Sequence, residues 1–129
     1  RPERHSHHGI AQRGAFTVGI PTSSQAAAAD VFGTVSGRDR DKFASSGLTA
    51  QRSAVVDAPY VAECPVVMEC RVLQALELGS HTLFIAEVLD VKADPSVLSA
   101  CGTLDAGAVE PFVLCGGYRA LGRELPRQA

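Results

Sequence analysis

Two arms of alternating apolar and polar residues between Pro65 and Lys92 constrain this chain more than any other feature. The first arm reads P-V-V-M-E-C-R-V-L-Q-A-L-E and the second T-L-F-I-A-E-V-L-D-V-K, separated by the polar turn L-G-S-H. Successive side chains of a strand point to opposite faces. Period-2 counting therefore puts Val66, Met68, Cys70, Val72 and Leu76 on one face of the first arm and Glu69, Arg71 and Glu77 on the other. In the second arm the same count groups Leu83, Ile85, Leu89 and Val91. Two long strands joined by a short glycine-containing turn are a β-hairpin, which is marginal in water alone. More sheet or helix must cover its apolar face, and a barrel or sandwich does so with least additional structure.

The flanking segments supply the cover. A-F-T-V-G-I, from Ala15 to Ile20, predicts a buried strand ended at Pro21. Thr22, Ser23 and Ser24 offer N-caps to the alanine-rich stretch Q-A-A-A-A-D-V-F, which predicts a helix running toward Gly33. In S-G-R-D-R-D-K-F either Asp39 or Asp41 is placed to cap a short helical turn carrying Lys42 and Phe43. The two prolines from Gln51 to Pro65 point to an irregular or edge strand. From Ala93 onward the chain is rich in turns, with brief helical potential and a glycine-punctuated aromatic tail. The expected fold is mainly β, with one or two short helices in a single domain.

Composition excludes several functions. With 46% hydrophobic and 20% charged residues over 129 positions, the chain has the make-up of an ordinary globular domain. Aromatic residues are 5% and Trp is absent, leaving few rings to stack bases, and a net charge of -2 draws no polyanion. Neither nucleic acid nor membrane is expected as a partner: no apolar run approaches the roughly 20 residues of a membrane helix. The first residues lack the plan of a signal peptide, so a cytoplasmic location is expected, and the four cysteines read as reduced core residues. G-x-G-x-x-G, P-loop, G-x-S-x-G and H-E-x-x-H motifs are all missing, and no cysteine has a partner that would make it a nucleophile. No catalytic side chain is assigned.

Three weak signals remain. Arg1, Arg4, Ser6, His7 and His8 combine cations with a hydroxyl, the mixture that a phosphate monoester binds, because charged donors neutralise the dianion while the hydroxyl adds a directional bond. His5, His7 and His8 are also close enough in sequence to suggest zinc, but Glu3 is the one carboxylate nearby and no cysteine is close, so no metal ligand is assigned. Lys42 presents an ammonium from a charged loop. His81 stands at the hairpin turn, where an imidazole donates near neutral pH. Each residue alone has an ordinary reading as solvated surface.

The segments R-P-E-R-H-S-H-H-G-I, G-A-F-T-V-G-I-P, V-F-G-T-V-S-G-R-D-R-D-K-F-A-S-S-G-L-T, D-A-P-Y-V-A-E-C-P-V-V-M-E-C, L-G-S-H-T-L-F-I-A-E-V and Y-R-A-L-G together resemble the flavin reductase-like domain family, its flavoredoxin type above all. They cover most of the chain in order and with compatible spacing. The resemblance implies a split β-barrel, usually a homodimer, that holds FMN near the subunit interface. Position by position, Ser6 matches the hydroxyl residue at the flavin phosphate with Arg4 beside it, Lys42 the lysine after the S-G-R turn, and His81 the histidine of the hairpin turn. The implied function is an oxidoreductase passing electrons from NAD(P)H through bound FMN. The alternatives are a flavoredoxin-type carrier reduced by a partner protein, and a non-enzymatic β domain with an incomplete flavin site.

Two departures from the family pattern stand out. Members carry further strands ahead of the stretch that begins here at Arg1, so an N-terminally truncated domain is expected, and Gly19 occupies a position where asparagine is common. The flavin-facing residue near the C-terminus falls among Leu114, Cys115 and Tyr118.

Overall fold

In the computed structural model, which describes residues 1–122, the chain runs α1 (His5–Arg13), β1 (Ala15–Ile20), α2 (Ala26–Thr34), α3 (Lys42–Ser46), β2 (Ala50–Arg52), β3 (Pro59–Val61), β4 (Val66–Glu77), β5 (Thr82–Ala93), α4 (Ala106–Val109), β6 (Phe112–Leu114) and β7 (Tyr118–Ala120). Short 3-10 turns at Ser23–Gln25 and Pro95–Val97 precede α2 and α4. The long hairpin is β4–β5, and β1 joins it antiparallel in a three-stranded sheet of order β1-β4-β5. Two ribbons, β2–β3 and β6–β7, complete the strands. The fold is mostly β, with more helix than the sequence suggests.

Local chemistry explains the segments that match expectation. β1 stops before Pro21, and the Thr22 backbone N–H donates to Gln25 Oε1 at 2.8 Å, one arm of a capping box on the 3-10 turn Ser23–Gln25 that leads into α2. Asp41, rather than Asp39, caps α3 by accepting from the N–H groups of Phe43 and Ala44. A small buried cluster of Val66, Val97 and Val109, with Ile20 and Ala93 against it, seats the β1 end of the sheet on the segment around α4.

The period-2 assignment of the hairpin needs correction. Register shifts interrupt the ladder between Glu69 and Cys70 and between Val72 and Gln74, leaving Leu89 on β5 and Leu73 on β4 without direct partners. A β-bulge inverts the alternation beyond it. Val72 pairs with Ala86 but Gln74 pairs with Ile85 and Leu76 with Leu83, so Leu76 joins the face of Glu69 and Arg71, and Glu77 leaves it. For the same reason Leu83 and Ile85 lie opposite Val91, which shares a face with Met68 and Val88.

Glu69 is fully buried, with 0% exposure. Lys92 Nζ reaches across the ladder to Glu69 Oε2 at 2.6 Å and to Asp90 Oδ2 at 3.0 Å. Hydrogen bonds to Glu69 first and Asp90 second raise the Lys92 pKa, and the bond from Lys92 lowers that of Asp90. Glu69 Oε1 has no hydrogen-bond partner among the described residues.

Gly19 has a steric reason to lack a side chain. A Cβ at that position would stand 2.8 Å from Cys64 Sγ, closer than real contacts allow. Gly19→Ala is expected to cost about 1–3 kcal/mol through overpacking. In chemical denaturation, adding Cys64→Ala should recover most of that loss; a double variant no more stable than Gly19→Ala would contradict this contact.

All four cysteines are free, but the core reading holds only for buried Cys70 and half-buried Cys64, whose thiol pKa values are raised by burial; Cys101 and Cys115 are exposed. At Cys101 the Ser99 hydroxyl (3.1 Å) and the Thr103 hydroxyl (3.4 Å) hold the thiol pKa down to about 7. Iodoacetamide should therefore label Cys101 first in the folded protein, with a rate that is half-maximal near pH 7. Mass spectrometry of the labelled peptides gives the order.

Candidate functional site

The first turn of α1 and the loop ahead of α3 face each other across an open concavity of about 1040 Å³, whose lining includes Arg4, Ser6, Arg38, Lys42 and Phe43. Of the four residues singled out from the sequence, the fold brings Arg4, Ser6 and Lys42 to this wall, and His81 does not line it.

Arg4 occupies the N-cap position of α1 without a side-chain cap bond, and Ser6 follows in the first turn. Unfilled first-turn N–H groups and the positive end of the helix dipole favour an anion there. Helical rotation splits the sequence cluster. His5 and Ser6 turn to the concavity, whereas His7 turns to the hairpin, where Nε2 lies 2.8 Å from Thr82 Oγ1 and the ring 5.5 Å from that of Phe84. The S-G-R loop presses on α1 so closely that a Cβ at Gly37 would sit 2.7 Å from His5 Cδ2. Gly37 thus permits the close approach of a loop whose Arg38 lines the same concavity as Ser6.

Lys42 opens α3 and folds back toward α2, donating from Nζ to the Phe32 carbonyl at 2.7 Å, with Nζ 5.6 Å from the centre of the Phe32 ring. Phe43 packs edge-on against Phe32 at 5.2 Å. The ammonium is held at the wall with two protons still to donate. Three carboxylates also line the concavity, but Asp41 is engaged as the α3 cap and Glu3 lies 3.7 Å from Arg1. Cations therefore outweigh free acid groups, and the donor set of guanidinium, hydroxyl, ammonium and helix N-terminus fits a phosphate monoester.

His81 sits exposed at the hairpin tip, its Nδ1 2.9 Å from Ser80 Oγ, and Arg1 Nε donates to its Nε2 at 3.3 Å. The contact with Arg1 brings it to the chain just ahead of α1, outside the concavity. Among the described residues no group of three His, Cys, Asp or Glu side chains is arranged to hold a metal. Of the C-terminal candidates, Tyr118 stacks edge-on against Phe112 at 5.4 Å and donates to Asp30 at 3.2 Å, and it does not line the concavity; Leu114 and Cys115 are exposed.

A second groove of about 930 Å³ adjoins the first and shares His5, Ser6, Arg38 and Pro59 with it. Arg38 and Arg52, which help line it, were not singled out from the sequence. The S-G-R run contains Arg38, but Arg52 carries no spacing signal because its neighbours meet it through the β2–β3 ribbon.

Residues 1–117 match the model of the flavin reductase like domain, and the chain belongs to that family. Its structure superposes on the flavoredoxin of Desulfovibrio vulgaris (Miyazaki F) with a TM-score of 0.92 at 39% identity, covering 98% of this chain and 69% of that one. The flavoredoxin from Methanosarcina acetivorans superposes with a TM-score of 0.89 at 27% identity, over 97% of this chain and 67% of that one. A split-barrel putative flavin reductase from Shewanella frigidimarina, at 24% identity and TM-score 0.82, supports the fold. Among curated proteins, an uncharacterized protein of Archaeoglobus fulgidus is 38% identical over 68% of this chain and 50% of its own length. The reductase component of a 4-nitrophenol and 4-nitrocatechol monooxygenase from Rhodococcus opacus is 33% identical over 68% of this chain and 44% of its own. The chain spans about half the length of the curated relatives it matches. Among the described residues no helix is long and apolar enough to cross a membrane.

Proposed function

We propose that this domain binds FMN and serves as an oxidoreductase that passes electrons from NAD(P)H through it. One observation carries the reading: α1 begins without a side-chain cap, with Arg4 and Ser6 at its start, and Lys42 lines the same concavity. In this reading the flavin phosphate lies against the start of α1, where Ser6 and Arg4 donate to it and Lys42 neutralises its second charge. Bound FMN would supply the redox chemistry, accepting hydride and releasing electrons. The chain's own work is binding and orientation, which suits a site without an assigned acid, base or nucleophile.

His81 enters this reading through a homodimer. Leu76, Leu83 and Ile85 share one face of the hairpin and are each between 41% and 49% exposed, an apolar surface that water disfavours. A second protomer covering this surface would bring the hairpin tip, and with it the imidazole, to the neighbouring site. Sedimentation should show a dimer that Ile85→Glu converts to monomer; a monomeric wild-type chain would contradict this. Exposed thiols at Cys101 and Cys115 suit the reducing cytoplasm that completes the reading.

The test is anaerobic titration of the FMN-loaded protein with NADH and NADPH, followed by the visible absorbance of the flavin. Bleaching by at least one of them is expected. A protein that holds FMN yet is bleached by neither, and only by a reduced partner protein, would be a flavoredoxin-type carrier. A protein that does not quench FMN fluorescence would be the cofactor-free β domain.

A further inference from the structure

The groove beside the flavin concavity carries a charge surplus that the proposed flavin phosphate does not use. It runs between α1, β1 and the β2–β3 ribbon, and His8, Arg13, Arg38, Arg52 and Asp57 contribute to its walls. Arg13 Nη1 binds Asp57 Oδ1 at 2.9 Å, which occupies that carboxylate. Arg38 and Arg52 have no ion-pair partner among the described residues. Two unpaired guanidiniums and an imidazole in one concave wall favour a ligand with clustered negative charge, since a guanidinium fork donates two parallel bonds to a phosphate.

We infer that this groove binds the phosphate groups of the nicotinamide dinucleotide, and that Arg52 selects NADPH over NADH by pairing with the 2′-phosphate. The inference rests on the proposed function for its choice of nucleotide, but its geometry is independent of the flavin. At about 930 Å³ the groove has the scale of a small-molecule site rather than a protein-docking face. It meets the flavin concavity along Arg38, Ser6 and His5, so a dinucleotide anchored near Arg52 has an open route to that concavity at its other end. The 2′-phosphate is a dianion that NADH lacks, which makes it the group that an exposed, unpaired arginine distinguishes best.

Calorimetry with the oxidised nucleotides tests this without turnover. NADP⁺ is expected to bind the FMN-loaded wild-type chain at least about tenfold more tightly than NAD⁺, the scale of one charged hydrogen bond. Arg52→Ala should bring the two affinities together, and Arg52→Lys, which keeps the charge without the fork, should retain part of the difference. Arg52 is exposed on a three-residue strand, and circular dichroism of both variants checks that the fold is intact. Equal affinities in the wild type, or a preference that survives Arg52→Ala, would overturn the inference. FMN titration of the same samples separates the two readings. NADP⁺ binding that depends on Arg52 without FMN binding would keep the groove and remove the flavin. FMN binding without a nucleotide preference would do the reverse.

Discussion

Lys42→Met is expected to weaken FMN binding by about 10–100-fold while leaving riboflavin binding unchanged. A hydrogen bond to a charged group contributes about 1.5–3 kcal/mol, and each 1.4 kcal/mol is about a factor of ten in affinity. The Lys42 ammonium already gives one proton to the Phe32 carbonyl, which fixes its direction and leaves the others for the phosphate. Riboflavin has no phosphate and so reports whatever the substitution does to the ring's surroundings. Fluorescence quenching titrations with both flavins provide the comparison. Equal losses for the two would mean that Lys42 acts by holding α3 against α2, and a loss for neither would remove it from the site.

The largest effect on stability is expected from Lys92→Met, which leaves Glu69 charged and without its partner. An uncompensated carboxylate at a fully buried position costs about 3–5 kcal/mol when the other member of its pair is removed. Glu69→Leu should be much milder, because Lys92, 37% exposed, can turn its ammonium to water or keep Asp90. It removes the unpartnered Oε1 as well. The asymmetry between the two variants is therefore the diagnostic result, and urea denaturation at neutral pH measures it. The pH dependence follows from the same pair. The folded pKa of Lys92 is raised, so its contribution is complete below the ordinary lysine value of 10.5 and is lost as pH rises through the higher folded value. That of Asp90 is lowered, so its contribution is present above 3.8 and is lost as pH falls through the lower folded value. The gap between wild type and Lys92→Met should close in strong alkali. Equal stability of the two proteins at neutral pH would contradict the account of Lys92 as the partner that Glu69 needs.

Where local chemistry decides structure, the sequence was legible. Pro21 ends β1, Thr22 opens the 3-10 turn that leads into α2, and Asp41, one of two candidate caps, caps α3. The long hairpin was readable from its alternation, but its bulges were not, because the extra residues Leu73 and Leu89 resemble their neighbours. Glu69 looked like surface until Lys92, 23 positions away, arrived across the ladder. Helix α1 was missed for a related reason: Gly9 and three histidines weaken its propensity, Arg4 is no cap, and its support comes from Thr82, Phe84 and Gly37. Its one readable mark was Gly14, which ends it in the left-handed conformation at φ 62°.

The site divides in the same way. Ser6, Arg4 and Lys42 could be named because the family resemblance aligned them, and the fold brings them to one concavity. Arg38 and Arg52 could not, because the groove they share is made by α1, the S-G-R loop and a ribbon that are distant along the chain.

A crystal structure of the chain with FMN would decide most directly whether the start of α1 is the phosphate site. The expected result is a phosphate within hydrogen-bond distance of Ser6 Oγ and Lys42 Nζ, with Arg4 beside it. An FMN phosphate bound away from α1, with Ser6 and Lys42 facing solvent, would contradict it.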